Sequence, residues 1–388
     1  MTISKKNDLQ RETLFSHIAR PDAGIGTAVN PDITRASTLL FDRAEDLYRA
    51  DVRGYGRHGS TGQDALIHAF NVLEGGAGTS LTASGLAACT LAILANVTSG
   101  DHLLLTDSCY GPTRNFCLNY LKTMGVETQM YDPRIGHGIT ELIRDNTAVI
   151  MLESPGSLTF ELPDIPAITK AAQARSVTTI IDNTWSAGLT LSPLSLGVDI
   201  ACHAATKYFG GHSDIMFGAV ISATPMMAKK VAKTAKYLGN ATSPDDAYQI
   251  LRGFRTVVHR FRHAENSALE IAKWLEGHDK VHKVLHPALP SHPDHDIWKR
   301  DFSGGACLFG VVLEPCSQAD VLGVINALEL FGIGYSYGGY ESLAIHCDPQ
   351  LTRANGPNLG GPLIRFACGM ESSVDLKADI AQALSTIS

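Results

Sequence analysis

The sequence predicts an α/β protein, a mostly parallel sheet covered by helices on both faces, followed by a smaller α+β module. Three observations predict it. From Asp64 to about residue 250, short apolar runs alternate with helical spacings, the pattern of parallel strands joined by crossover helices. Beyond that point one long helical pattern gives way to short strands and shorter helices. Finally, 388 residues with 44% hydrophobic and 18% charged side chains suit two or three folding units with substantial cores.

The elements follow in order. Residues 1–60 are polar and loop-rich. Asp64 to Leu73 has helical spacing and stops at Glu74-Gly75-Gly76. Thr79–Thr82 reads as a short strand, after which Ser84-Gly85 opens a helix through Leu94. His102–Leu105 is a buried strand and Thr113–Met124 a helix. Val126–Tyr131 and Val149–Leu152 are strands, and Ile165–Ala174 is a helix. Val177–Ile181 and Val198–Cys202 are two more apolar runs. A long helix is expected from Asp245 past Trp274, with a kink at Gly253. Strands near Val284, Leu308–Leu313, Leu343–Ile345 and Leu363–Ala367, with helices near Asp320–Leu328 and Asp375–Leu384, complete the second module.

Composition excludes several classes. The net charge is −7, from 39 acidic and 32 basic residues, and no polybasic cluster appears, so nothing favours a nucleic-acid partner. No apolar run approaches the roughly eighteen residues of a membrane span, and the N-terminus lacks a signal peptide's apolar core. The eight cysteines are scattered without a CxxC pair, so neither a zinc framework nor a disulfide scaffold is expected. A cytoplasmic protein without a metal is the expectation. His286, His292 and His295 sit in a proline-rich stretch that reads as a surface loop.

The chemistry concentrates at two strand ends. Val177-Thr-Thr-Ile-Ile181 stops in Asp182-Asn183, and Val198-Asp-Ile-Ala-Cys202 leads into Ala205-Thr206-Lys207. An acid at one end and an amine after the other suit a cofactor whose ring nitrogen needs an acid and whose aldehyde needs an amine. Pyridoxal phosphate is such a cofactor. Lys207 lies among apolar neighbours, where a lysine becomes a better imine former. Ser84-Gly85 at a strand-to-helix turn offers backbone amides to a phosphate, or is a plain helix cap. Tyr110, after the strand from His102, either stacks on a cofactor ring or closes the core. Gly54-Tyr-Gly-Arg-His-Gly59 matches GxGxxG but follows no apolar strand, which disfavours a dinucleotide site. It reads better as a loop presenting Tyr55 and Arg57 to a phosphate. Arg365, inside the apolar run Leu363–Cys368, is either a structural buried cation or a clamp for a substrate carboxylate.

Longer motifs carry a resemblance. Tyr55-Gly-Arg-His, Leu73-Glu-Gly-Gly-Ala-Gly78, Leu152-Glu-Ser-Pro-Gly-Ser157, Ile181-Asp-Asn-Thr-Trp185, Ala204-Ala-Thr-Lys-Tyr208 with Gly211-His-Ser-Asp214, His286-Pro-Ala-Leu-Pro290 and Ser336-Tyr-Gly-Gly-Tyr-Glu-Ser342 resemble the Cys/Met-metabolism family of fold-type I pyridoxal-phosphate enzymes, from about Arg35 to Ile380. The resemblance implies a seven-stranded, mostly parallel large domain over 61–253 and an α+β domain over 254–388. It also implies that residues 1–60 form an arm reaching the neighbouring subunit's site, in a homotetramer built as a dimer of dimers. It makes Lys207 the covalent cofactor anchor and Asp182 the partner of the ring nitrogen, with Tyr110 stacked on the ring. Gly85, Leu86 and Thr206 would take the phosphate, joined by Tyr55 and Arg57 from the neighbour. Arg365 would bind the substrate α-carboxylate, with Ser336 positioning Lys207 and that carboxylate, and Ser157, Tyr337 and Tyr55 lining the substrate.

Ser157 and the Ser336-aromatic-Gly-Gly pattern are similar to the β-lyases of the family. The implied activity is a carbon–sulfur β-lyase that cleaves the amino acid L-cystathionine to homocysteine, pyruvate and ammonia. A broader cysteine-S-conjugate β-lyase or cysteine desulfhydrase is the nearest alternative, ahead of γ-lyases and γ-synthases and of a non-catalytic binding or regulatory protein. Tyr337 stands where β-lyases usually carry Trp, and Gly111 and Asn115 where acids are common.

Overall fold

A computed structural model describes residues 9–22, 24–353 and 356–387. Its larger sheet has seven strands: β1 (Gly78–Thr82), β2 (His102–Thr106), β3 (Glu127–Tyr131), β4 (Thr147–Glu153), β5 (Thr178–Asp182), β6 (Ile200–His203) and β7 (Gly218–Ser222). They lie in the order β1-β7-β6-β5-β4-β2-β3. Only β7 runs against its neighbours, pairing antiparallel with both β1 and β6. Both faces are covered. Leu104, Ile150, Ile181 and Ala201 enter one apolar cluster, while Leu103, Leu105, Val149, Met151, Ile180 and Ile200 enter another on the opposite face. Continuous apolar strands are what a doubly covered sheet requires.

The second sheet contains β8 (Val281–Leu285), β9 (Leu308–Leu313), β10 (Gly332–Ile333), β11 (Leu343–His346) and β12 (Leu363–Ala367). Its order is β10-β11-β12-β9-β8, antiparallel except for the β10–β11 pair.

The single long helix expected from Asp245 is two helices, Pro244–Phe254 and Val257–Leu275. Gly253 does not act as a kink. It allows contact: a Cβ there would overlap the carbonyl oxygen of Phe209. The break comes at Arg255–Thr256, where Arg255 turns to donate to the carbonyls of Phe15 and Ile18. The helix Val257–Leu275 serves two cores. Val257, Val258, Phe261 and Ala264 join a cluster of the large sheet, whereas Ala268, Ile271, Ala272 and Leu275 join the cluster of the second sheet.

The histidine loop also differs from expectation. His286 and His292 are buried, at 0% and 3% exposure, instead of lying on the surface. The Nδ1 of each accepts a backbone N–H two residues on, from Ala288 and Asp294. Each ring thus caps its own turn, and burial pulls both down to about 4. They are neutral core residues.

Candidate active site

Strands β2, β4, β5 and β6 are parallel neighbours, so their C-terminal ends share one edge, where open α/β sheets bind ligands. Tyr110 follows β2, Glu153 ends β4, Asp182 ends β5, and Lys207 follows β6 through Ala204–Thr206.

Asp182 is held by a neighbour two residues on. Its Oδ1 accepts the Thr184 N–H at 3.0 Å and the Thr184 hydroxyl at 2.6 Å. The same hydroxyl accepts the Ala204 N–H at 2.8 Å, which ties the end of β5 to the loop that carries Lys207. Asp182 Oδ2 lies 3.6 Å from the Cys89 thiol. The adjacent Cys202 thiol and burial push Cys89 far up, so it remains an S–H donor.

Lys207 Nζ donates to Ser336 Oγ at 2.7 Å and stands 5.1 Å from the Tyr337 ring centroid. Burial lowers its amine to about 8, with the Arg365 charge adding to the fall and Asp182 opposing it. Ser336 adopts φ of 92°, a conformation that costs a non-glycine residue about 1–3 kcal/mol. In it the hydroxyl meets Lys207 while the carbonyl accepts Arg365 Nη2 at 3.1 Å. Arg365 sits mid-strand in β12. Its Nε is buried without a hydrogen-bond partner among the described residues.

Ser84 caps the helix Gly85–Leu94 by accepting the Ala87 N–H at 3.1 Å. This leaves the Gly85 and Leu86 amides without an intrahelical acceptor. A Cβ on Gly85 would overlap the side chain of Ala204, so glycine lets this helix start approach the Lys207 loop. Thr206 lies in that loop, but its hydroxyl is engaged with the Phe217 backbone, donating to the carbonyl at 3.2 Å and accepting the N–H at 2.9 Å.

Tyr110 is half-exposed, and its N–H donates to Glu153 Oε2 at 2.6 Å. Burial, then the charges of Asp182 and Glu153, pushes its phenol up. Gly111 and Asn115 follow on a short helix that passes into a π turn at Phe116–Tyr120, a feature common near functional sites. Ser157 is tied to the same wall, its N–H donating to Ser108 O at 2.7 Å.

Lys207, Ser336, Tyr337 and Arg365 are thus brought into contact, with Asp182, Tyr110 and Gly85 around them. Tyr55 and Arg57 are not. They line a separate cavity of about 1430 Å³ formed by the 34–64 segment and residues 241–245, where the Arg57 guanidinium lies 5.3 Å from the Tyr55 ring. Sequence reasoning missed Thr184, Cys89 and Glu153. Glu153 gives the same signal as Asp182, a carboxylate ending an apolar run. No group of three His, Cys, Asp or Glu side chains among the described residues is arranged to hold a metal.

The arrangement fits pyridoxal phosphate. It offers a buried amine lowered to about 8, a fixed carboxylate whose Oδ2 meets only a weak thiol donor, and two helix-start amides for a phosphate. It also leaves one buried guanidinium donor free for a carboxylate.

Known proteins agree. The Cys/Met metabolism PLP-dependent enzyme family matches residues 12–385. The chain is 46% identical over 382 residues to a putative cystathionine beta-lyase of Rhizobium johnstonii, covering 97% of this chain and 96% of that one. It is 40% identical over 393 residues to the cystathionine beta-lyase of Salmonella typhimurium, covering 98% and 99%. Among solved structures, it superposes on cystathionine gamma-lyase from Lactobacillus plantarum, complexed with L-serine, with a TM-score of 0.90 at 29% identity, covering 98% and 99%.

Proposed function

Because the chain belongs to the Cys/Met metabolism family of PLP-dependent enzymes, we propose that it is a carbon–sulfur β-lyase converting L-cystathionine and water to homocysteine, pyruvate and ammonia, a step of methionine biosynthesis. Two relatives at 46% and 40% identity carry that activity in their names. Ser157 and the Ser336-Tyr337-Gly338-Gly339 run favour the β-lyase reading over the γ-type. The observation that carries it is Ser336, which joins the Lys207 amine at 2.7 Å to the Arg365 guanidinium at 3.1 Å. One residue thereby sets both the base and the carboxylate clamp.

The cofactor is pyridoxal 5'-phosphate, which supplies an aldehyde for the amine and a ring that delocalises negative charge from Cα. Lys207 anchors it and, once its amine is released, takes the Cα proton at Nζ. A pKa near 8 keeps that atom effective as a base near neutrality. Asp182, oriented by Thr184, balances positive charge on the ring nitrogen. Gly85, Leu86 and Thr206 hold the phosphate, the Thr206 hydroxyl turning from Phe217 to do so. Tyr110 covers the ring. Arg365 binds the α-carboxylate, and Ser157 and Tyr337 border the departing thiol.

Tyr55 and Arg57 complete the phosphate site from a neighbouring subunit of a cytoplasmic homotetramer. Their separation from Lys207 within one chain supports this, as do the exposed apolar residues Ile25, Leu40 and Tyr48 of the 1–60 arm. The reading of 61–253 and 254–388 as two units is supported by the seven-stranded sheet lying within 78–222 and the five-stranded sheet within 281–367. Among the described residues no helix is long and apolar enough to cross a membrane.

The test is to incubate the holoenzyme with L-cystathionine, L-cystine and other S-substituted cysteines and identify the products. Pyruvate with homocysteine from cystathionine is expected. Pyruvate only from other conjugates would support the broader β-lyase, and α-ketobutyrate a γ-lyase. An amino acid racemised without any keto acid would mean that the Cα proton is returned instead of the β-substituent being lost. Lys207→Ala is expected to lower turnover by at least about a thousandfold; near-full activity would sink the assignment.

A further inference from the structure

Glu153 has no role in the reading above, yet it stands at the centre of the edge. It is the last residue of β4 and the register partner of Asp182 on β5. Its immediate partners are Asp182 on the neighbouring strand and the Tyr110 amide from the loop after β2, and its charge also acts on Cys89, Cys109 and Tyr337. Two partly buried carboxyls at adjacent strand ends repel when both are charged. An apolar side chain would end β4 at lower cost.

The hydrogen bonds suggest what the acid does. The loop after β2 is held by backbone bonds, to β3 and within itself. Asp107 N–H donates to Tyr131 O at 2.8 Å and Cys109 N–H to Thr106 O at 3.2 Å, and Arg114 N–H closes the next turn on Tyr110 O at 3.0 Å. The Tyr110 N–H, at the start of the following helix, has no such backbone acceptor. It donates across to Glu153 Oε2 at 2.6 Å. This side-chain bond crosses from β4 to the backbone that sets the Tyr110 ring.

We propose that Glu153 is a positioning residue for the cofactor ring: its carboxyl holds the Tyr110 amide and so fixes where the Tyr110 ring stands beside Asp182 and Lys207. This rests on the reading of the edge as the pyridoxal phosphate site. Burial, reinforced by Asp182, pushes Glu153 well above the usual carboxylate range.

Glu153→Gln keeps an oxygen acceptor for the amide; Glu153→Ala removes it. Pyridoxal phosphate is titrated into the cofactor-free proteins, with Asp182→Ala as reference. The Tyr110 amide is followed by NMR after selective 15N-tyrosine labelling. Glu153→Gln is expected to bind within about threefold of wild type and Glu153→Ala about tenfold or more weakly, as for a lost hydrogen bond. The Tyr110 amide proton is expected far downfield and slow to exchange in wild type and Glu153→Gln. Unchanged affinity in Glu153→Ala while Asp182→Ala binds poorly would overturn the proposal and leave the site standing. So would a glutamine variant as weak as the alanine one. If the alanine variant does not fold, an ordinary, freely exchanging Tyr110 amide in wild type overturns it alone. Wild-type protein with no affinity for pyridoxal phosphate would overturn the functional reading itself.

Discussion

Lys207 occupies a costly position. Its ammonium is buried near the Arg365 guanidinium, and these together bring it to about 8 from 10.5. Between those values the unfolded chain holds a proton that the folded chain has released, so stability rises with pH across that window and is lowest below it. Lys207→Met keeps the stem and removes the charge. In the cofactor-free protein it is expected to stabilise by about 1–3 kcal/mol at pH 7, the gain shrinking as pH rises from 8 towards 10.5. Urea unfolding at pH 7 and pH 10 measures this, and an equal gain at both would show that the charge is not the cause. Asp182 and Lys207 were legible in the sequence because a charged side chain that ends an apolar run is conspicuous. The contact of Lys207 with Ser336 was legible only through the family resemblance, since it joins positions 129 apart and no periodicity or local spacing points to it.

Elements were legible where periodicity was long and less so where backbone packing decided the outcome. The parallel strands and their crossover helices were found because alternation repeats. β7 was not, because β6 reaches it through the Lys207 loop without a crossover helix, so Gly218–Ser222 breaks the alternation. Gly253 was read for its flexibility, whereas its missing Cβ is what matters. Gly253→Ala would press a methyl on the Phe209 carbonyl, part of the segment that begins at Lys207. The expected cost is about 1–3 kcal/mol for a forced backbone shift. A fall in Tm of several degrees, with weaker cofactor retention, is the expected readout; an unchanged Tm would mean that the helix Pro244–Phe254 moves freely away.

Across the whole molecule, the two sheets are joined by charge as well as by apolar contact. Arg353, from the segment between β11 and β12, enters the large domain with its Nε 3.2 Å from Asp107 and its Nη1 2.6 Å from Glu161 and 2.8 Å from the Thr159 hydroxyl. All three charged side chains are nearly inaccessible. Arg353→Ala leaves two buried carboxylates without their cation and is expected to cost about 3–5 kcal/mol, measured as a lower urea midpoint. A loss under about 1 kcal/mol would indicate that water enters in its place. Asp107 lies three residues before Tyr110, so this clamp also braces the wall of the site.

The helix Val257–Leu275, shared between both apolar clusters, bears on ancestry. A recombination at the junction near residue 253 would separate the large sheet from Val257, Phe261 and Ala264, and any newly joined partner would have to supply matching side chains at once. Exchange of halves between relatives is therefore penalised at every such crossover, and the chain is expected to be inherited as one block, changing by substitution within its pocket instead of by reshuffling its parts.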